Sequence, residues 1–473
     1  NVALGSTALD ANTIGCRGVA IGYNAMGANT DGNFNTAVGR SALATNTTGD
    51  NNVSVGYSSL QNSTTSSGNS SVGVESMFLN TTGANNTAMG LCSLRANTTA
   101  SNNTAVGVSA LFSNTTGEVN TAVGSASMAT NTTGYGNTAV GKNSLYTNNG
   151  NNNTAVGHEA LELNTTGASN TAVGRESLTA NTTGASNIAL GYRSLSFNTT
   201  GCQNVTIGAE AMRLNTTGNF NHAIGFNALY NNTTGGNNVA IGLCSLFANT
   251  TGSQNSALGY FALDAQTTST GNTAMGQESL TVLTTGSYNS GFGWLSGVDV
   301  TTGSNNSFLG RDAGRTGSPG GSISTANDTI VLGDEHVTNL FCADTSISSS
   351  DQRDKTDIED FTHGLDFVTK LKPKTYKWDK RAWYVKENKT KENLLNATPD
   401  GSRKKPKVHI GFMAQDVLAL EKEIGFSNNK NDMLMVNLTE DETQYGIKYE
   451  RLVPVLVNAI KELKAEIELL KNK

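Results

Sequence analysis

A 17-residue ruler governs the first 310 residues of this 473-residue chain. Its marker, N-T-A-V-G, stands unaltered at 35–39, 103–107, 120–124, 137–141, 153–157 and 170–174. Nineteen marker glycines run from Gly5 to Gly310, and every step is 17 residues except the 16 between Gly141 and Gly157. A period this regular predicts a solenoid, in which each repeat is one coil stacked on the next.

Each repeat position has a physical reading. The residue before the marker glycine is large and apolar throughout, from Leu4 through Val38 and Ile241 to Leu309. The residue before that is Ala, Ser, Thr or Gly in every repeat but the last, which has Phe308. Alternation along a strand puts the two on opposite faces. The expectation is that the large one fills the coil's own core and the small one lets another layer or chain approach. Four residues after the glycine comes Leu or Met in the first seventeen repeats, as at Leu9, Met26, Leu43, Leu161 and Leu280. That is expected to be a second core position on a second short strand. Then comes N-T-T-G, as at Asn46–Gly49, with residues that tolerate tight turns. Each repeat therefore reads as strand, turn, strand, turn.

One such coil buries about two aliphatic side chains, worth roughly 1.5–3 kcal/mol each. Fixing its backbone costs about 1–2 kcal/mol per residue. A lone coil cannot fold, so stacking is obligatory. The stacked core is still thin, which predicts that several chains share it. At roughly 4.8 Å per coil, nineteen coils predict a rod on the order of 90 Å long. The N-T-A-V-G-x-x-A-L pattern resembles the head repeats of YadA-type trimeric bacterial adhesins, although those use a shorter repeat. The resemblance implies a parallel β-roll with three chains side by side.

The repeat carries little that reads as chemistry. N-T-T is a formal N-glycosylation sequon, yet the pattern reads first as a turn with an Asn/Thr ladder. Regular threonine rows suggest an ice-binding face, but adjacent Thr47 and Thr48 would point to opposite sides of a strand. Calcium-binding rolls need Gly-Gly-x-Gly-x-Asp, and acids are scarce here. His158 and His222 sit at different phases and read as surface residues. No carboxylate pair recurs at one phase to form a glycosidase cleft. Cys92 and Cys244 share a phase nine repeats apart, and Cys16 and Cys202 share one eleven repeats apart. Neither pair sits on neighbouring coils, and with Cys342 the count is odd, so disulfide and zinc frameworks are both poor readings. No cofactor and no metal are expected.

Charge divides the chain near residue 350. Residues 1–350 hold nine Lys and Arg against seventeen Asp and Glu, and residues 351–473 hold 23 against 21. Pro373, Pro399, Pro406 and Pro454 also lie beyond that point. The net charge of −6 offers no footprint for nucleic acid. The run Arg403–Lys407 reads as a solvated loop. No apolar run is long enough to insert in a membrane. The chain opens on Asn1 part-way through a repeat, so an upstream virion-docking or anchoring region is expected outside this sequence.

The repeat fades after Gly310. A Gly/Ser stretch leads to strand-like segments at 329–333 and 337–347, and the texture changes at Ser348–Lys355. The last 25 residues read as a helix with Val453, Ile460 and Ile467 at heptad position a and Leu456, Leu463 and Leu470 at d, a short coiled coil. Ile or Val at a with Leu at d favours two strands, but under three heptads is too short to decide.

Residues 350–473 resemble the C-terminal intramolecular chaperone of phage endosialidases and tail spikes, a family of self-cleaving serine peptidases. The matching pieces are Ser350-Asp351-x-Arg353-x-Lys355, Gly364–Phe367, Leu371-Lys372-Pro373 with Tyr376 and Trp378, Gly411–Asp416, and Tyr449–Pro454. The resemblance implies a Ser-Lys dyad: Ser350 as nucleophile, Lys355 as general base, and cleavage between Ser349 and Ser350. Asp351 and Arg353 belong to the same motif. Asp354 departs from the family pattern, which has an apolar residue there, and sets an acid beside the implied base.

The fold expected is mainly β. It comprises a trimeric parallel β-solenoid over 1–315, transition strands and a cleavage linker over 316–349, and a small α+β chaperone over 350–473 with a coiled coil at about 449–472. The function expected is a homotrimeric fibre on a virion, or otherwise outside a cell, that attaches to a host surface receptor, a glycan or a protein. A cell-surface adhesin with the same chaperone is the alternative. A polysaccharide-degrading tail spike would need an acidic cleft or a large insertion.

Overall fold

A computed structural model describes residues 1–337, 352–385 and 390–472. The chain divides into two units, 1–288 and 289–473.

In the first unit each repeat contributes one three-residue strand, from Val2–Leu4 to Thr273–Met275. Neighbouring strands pair in parallel and in phase: Thr36, Ala37 and Val38 face Val53, Ser54 and Val55. The 16-residue step keeps this register, with Thr138 opposite Thr154. The missing residue comes out of the corner. Asn148 donates to Gly150 O two residues on, where Asn164 reaches Gly167 three residues on.

The inside and the outside of the coil are the reverse of the sequence expectation. The small strand residue points inward: Ala37, Ala105, Ala139 and Ala172 are fully buried. The large one points out: Val140 is 37% exposed, Val173 39% and Met275 43%. The position after the glycine does point inward, and Leu43, Leu161 and Leu280 are fully buried. Volume explains the reversal. The coil already encloses one Leu or Met and two Asn side chains, so the strand can add only a methyl group at normal packing density.

The second predicted strand does not form. That segment is a run of turns in which Ser41 and Leu43 take φ of 57° and 52°, and the opposite corner holds Asn51 at 58°. Left-handed backbone disfavours a branched chain such as Leu, so the burial of the Leu side chain must hold it there. The marker glycine has a separate reason. Gly174 sits at φ 131°, and a Cβ on it would lie 2.5 Å from Gly191 O in the next coil.

Two buried asparagine ladders close the corners. In one, Asn198 Nδ2 donates to Asn181 Oδ1 at 2.8 Å and to Gly201 O at 2.9 Å. In the other, Asn187 N donates to Asn170 Oδ1 at 3.0 Å, while Asn187 Nδ2 donates to Gly201 O at 2.8 Å. The first ladder is the sequon asparagine. Its amide is fully buried with both contacts made, which leaves no room for a glycan in the folded coil. The two threonines that follow differ. Thr47 Oγ1 donates to Thr64 O at 3.0 Å, and Thr48 is exposed. Cys16, Cys92, Cys202 and Cys244 are unpaired; Cys342 lies outside the described residues.

The second unit begins with three coils of the same kind, on strands Ser290–Phe292, Ser307–Leu309 and Ile330–Leu332. Phe308 points inward and is fully buried where the earlier coils have Ala, Ser, Thr or Gly. Gly314 makes space for it, at the place where most coils have Leu. The chaperone part follows, with helices α1 (Leu365–Lys370), α2 (Lys391–Asn396), α3 (Ala414–Glu423) and α4 (Leu452–Lys471). Strand Lys374–Tyr376 pairs antiparallel with His409–Gly411, and Val436–Leu438 with Tyr445–Ile447. Its core is Phe367, Val417, Met435, Val436, Leu452 and Val455.

The ladders make a specific prediction. Asn198→Ala strips Asn215 Nδ2 of one of its two acceptors and Gly201 O and Asn181 Oδ1 of a donor, and should cost roughly 1–3 kcal/mol. Thr200→Ala on the exposed corner should be neutral. Denaturant midpoints of the two variants decide it, and equal midpoints would remove the ladder from the account.

Candidate functional site

Ser349, Ser350 and Asp351 lie outside the described residues, so the implied nucleophile and scissile bond have no described geometry. The 3-10 turn Gln352–Asp354 follows at once. Lys355 N donates to Gln352 O at 3.2 Å, and the side chains of Arg353 and Lys355 are exposed. The side chain of Asp354 is outside the described residues. The structure therefore places Lys355 at the end of a surface turn.

The other motif residues build the scaffold behind that turn. Gly364 abuts α4, where a Cβ would lie 2.7 Å from Ala459 N. The next amide, Leu365 N, donates to Glu462 Oε2 at 2.6 Å. Phe367 enters the core. Tyr376 stacks on His409 at 5.6 Å and meets the edge of Trp378 at 5.3 Å. Tyr449 Oη accepts from Phe412 N at 3.0 Å, and Arg451 Nη1 donates to Leu434 O at 2.6 Å. Gly364 and Leu365 thus fix α1 against α4, and Tyr449 and Arg451 tie the approach to α4 to Phe412 and Leu434.

Two features escaped the sequence reading. The first is Lys380. Its Nζ donates to Glu335 O at 3.2 Å and lies 5.3 Å from the Trp378 ring centre. Burial pushes the Lys380 amine below its ordinary range, against the upward pull of Glu335 and Asp334. Trp383 Nε1 donates to the same carbonyl at 3.3 Å. The chaperone thus fixes the backbone at Glu335. The aromatic-basic cluster Lys377–Trp383 was the available signal. Lys380 also borders a cleft of about 400 Å³ with Pro319, Arg381 and Tyr445. Nearby, Asp334, Glu335 and His336 bring ligand-type atoms within 4.8 Å of one another. His336 already bonds Asp334, through N at 2.9 Å and Nδ1 at 3.1 Å. Burial raises the Asp334 carboxyl, and those bonds outweigh it and hold it below its usual range. The predicted solvated loop is partly anchored too: Arg403 Nη1 donates to Trp383 O, and Lys405 lies 5.2 Å from the Trp383 ring centre.

The second is Glu421, fully buried on α3. Its carboxylate accepts from Met435 N at 2.7 Å, Val436 N at 2.9 Å, Leu434 N at 3.3 Å and the Ser427 hydroxyl. Nothing in the local sequence marks it, because its donors lie 6 to 15 residues away.

Residues 350–426 match the family model described as Chaperone of endosialidase. That family is a self-cleaving, serine-peptidase-type chaperone domain. No curated protein and no solved structure matches the chain.

Glu421→Ala should leave the two buried amides of Met435 and Val436 and the half-buried one of Leu434 without this acceptor and lower chaperone stability by roughly 3–5 kcal/mol. Tryptophan fluorescence of Trp378 and Trp383 during urea unfolding reports it. An unchanged midpoint would show that water replaces the carboxylate.

Proposed function

We propose that this chain is one strand of a homotrimeric fibre for attachment to a host surface, assembled and then released by its own C-terminal chaperone. The observation that carries this reading is the outward apolar column. Every coil of the first unit presents a Val, Ile, Leu or Met on its outer strand face, in phase with its neighbours. Covering a half-exposed aliphatic side chain contributes about 1 kcal/mol, so seventeen coils contribute on the order of 15 kcal/mol per chain. Such a stripe on a lone molecule would promote aggregation. A partner with the same repeat spacing covers it coil by coil, and a second copy has that spacing by construction. Helix α4 repeats the theme. Leu452, Val455 and Ala459 face the domain's own core, while Val453, Leu456, Ile460, Leu463, Ile467 and Leu470 of the heptad seam stay exposed.

The matched family supplies the reason for a chaperone. A repeat whose coils are near-identical is almost indifferent to a slip of one coil, and non-local pairing is slow. A C-terminal domain that associates first sets the chains level. In the self-cleavage the family implies, Ser350 Oγ attacks the carbonyl carbon of Ser349. The Ser349–Ser350 peptide bond breaks as the ester forms. Lys355 takes the hydroxyl proton and returns it to the departing Ser350 amine. Water then hydrolyses the ester, leaving a carboxylate on Ser349. A lysine serves as base only when burial or a neighbour lowers its pKa. Lys355 is exposed in the single chain, and in the assembled trimer the other two chains would give it the cover that a lysine base needs. The shaft left behind is held kinetically.

Two experiments test this. On an SDS gel the wild type should give a long and a short fragment, the short one beginning at Ser350, while Ser350→Ala and Lys355→Ala stay whole; an intact wild-type trimer would mean a chaperone without peptidase activity. Val140→Asp should leave the single coil folded but abolish SDS-resistant trimers, whereas Ala139→Asp should break the coil itself. Trimers that persist in the Val140→Asp variant would place the interface elsewhere.

A further inference from the structure

The last coil differs from its predecessors. Contacts between coils that elsewhere span 17 residues span 23 between Ser304 and Asn327, six residues more. The extra residues make a small closed loop. Gly314 N donates to Ser318 Oγ at 3.1 Å, Ser318 Oγ donates to Gly321 O at 3.2 Å, and Ile323 N donates to Gly314 O at 2.9 Å.

The turn at 439–444, between the chaperone strands Val436–Leu438 and Tyr445–Ile447, meets this coil with two carboxylates. Glu440 Oε1 accepts from Thr325 Oγ1 at 2.7 Å, Thr325 N at 3.1 Å and Ser324 Oγ at 3.3 Å. Asp441 Oδ2 accepts from Ser322 N at 3.1 Å. The other oxygen of Asp441 is fixed within the turn by Thr439 Oγ1 at 2.6 Å, Thr443 Oγ1 at 2.8 Å and Thr443 N at 3.1 Å. Burial pushes both carboxyls up, and these hydrogen bonds outweigh it and hold both below their ordinary ranges. They therefore accept as anions, which strengthens each bond. Arg381 Nη2, donating to Thr443 O at 2.6 Å, and Lys430 Nζ, donating to Glu440 O at 3.4 Å, brace the turn. On the shaft side Asp299 Oδ2 holds Ser322 Oγ at 2.8 Å.

The two carboxylates read different things. Ser324 and Thr325 occupy the Thr-Thr corner: Thr301 N donates to Ser324 O as Thr199 N donates to Thr216 O. Glu440 thus takes corner donors that earlier coils spend on the coil that follows, as Thr301 Oγ1 and Thr302 N do on Ser324 O. Ser322 is the last step of the inserted loop before that corner, and the inserted loop belongs to this coil. A chaperone shifted back by one coil would find the donors for Glu440 already bound to Ser324 O and would lose the partner for Asp441. We propose that the turn 439–444 is a register clasp, which seats the chaperone on the completed last coil of the shaft and on no other. This rests on reading 350–473 as the shaft's chaperone.

Hydrogen–deuterium exchange on the full chain, as wild type, Glu440→Gln, Asp441→Asn and the shaft-side Thr325→Val, is the test. Asp441→Asn should speed exchange at Ser322 about tenfold, and Glu440→Gln or Thr325→Val should do so at Thr325. The amides of Met435 and Val436, held by Glu421, should stay slow. Cryo-electron microscopy of the double carboxylate variant should then show trimeric shafts with staggered ends. Unchanged exchange at Ser322 and Thr325 would overturn the clasp, and faster exchange with flush shafts would overturn its role in register. If a carboxylate variant unfolds the chaperone, Thr325→Val alone decides the contact. If the wild type forms no trimer, the proposed function fails while the exchange result still stands.

Discussion

A coil of 17 residues turns back on itself within a cross-section too small for water, and its corners leave amide groups pointing inward. Unpaired, each would cost roughly 1–3 kcal/mol. The two asparagine ladders remove that cost. Each side chain binds a corner carbonyl within reach and one atom of the preceding coil, as Asn198 does with Gly201 and Asn181. Once two amides and one Leu occupy the interior, the rest follows. The strand residue facing in must be Ala or similarly small, and the large apolar residue must go outside.

That order of causes separates what could be read from the sequence from what could not. The period, the parallel in-phase stacking and the Leu43-type core position are consequences of spacing, and spacing is visible. Which strand face is interior depends on volume left over after the asparagines fold in. The sequence shows that Ala139 and Val140 are opposed, not which is enclosed. The buried role of the sequon asparagine was hidden for the same reason, because N-T-T reads equally well as an exposed turn. In the C-terminal part the motif around Gly364, Phe367 and Tyr449 could be recognised as a group, and the structure gives these residues packing and backbone-holding roles. Glu421 could not be found, since its partners are brought together only by the tertiary fold, and for Lys380 the aromatic-basic run was visible but its partner Glu335 was not.

The same ladders that stabilise the shaft remove its sense of position. Each coil bonds its two neighbours in nearly the same way along the first unit, so the energy of the stack depends on how many coils are in contact and hardly on which. Length is encoded and alignment is not. A homopolymer-like rod of this kind will pair with a copy of itself in many offsets of similar depth, a rough landscape where a single deep minimum is needed.

Alignment must therefore come from residues that break the repeat, and those are concentrated where the repeat ends. Phe308 with Gly314 re-forms the core around one aromatic ring, the insertion before Ser322 gives one corner a shape of its own, and Thr329 N ends a column by binding Asn306 Oδ1. A chaperone that binds such irregularities can tell one end of the rod from any other place on it. A chaperone that bound only the repeat could not, however tightly it held, because affinity shared equally among offsets shifts no population between them.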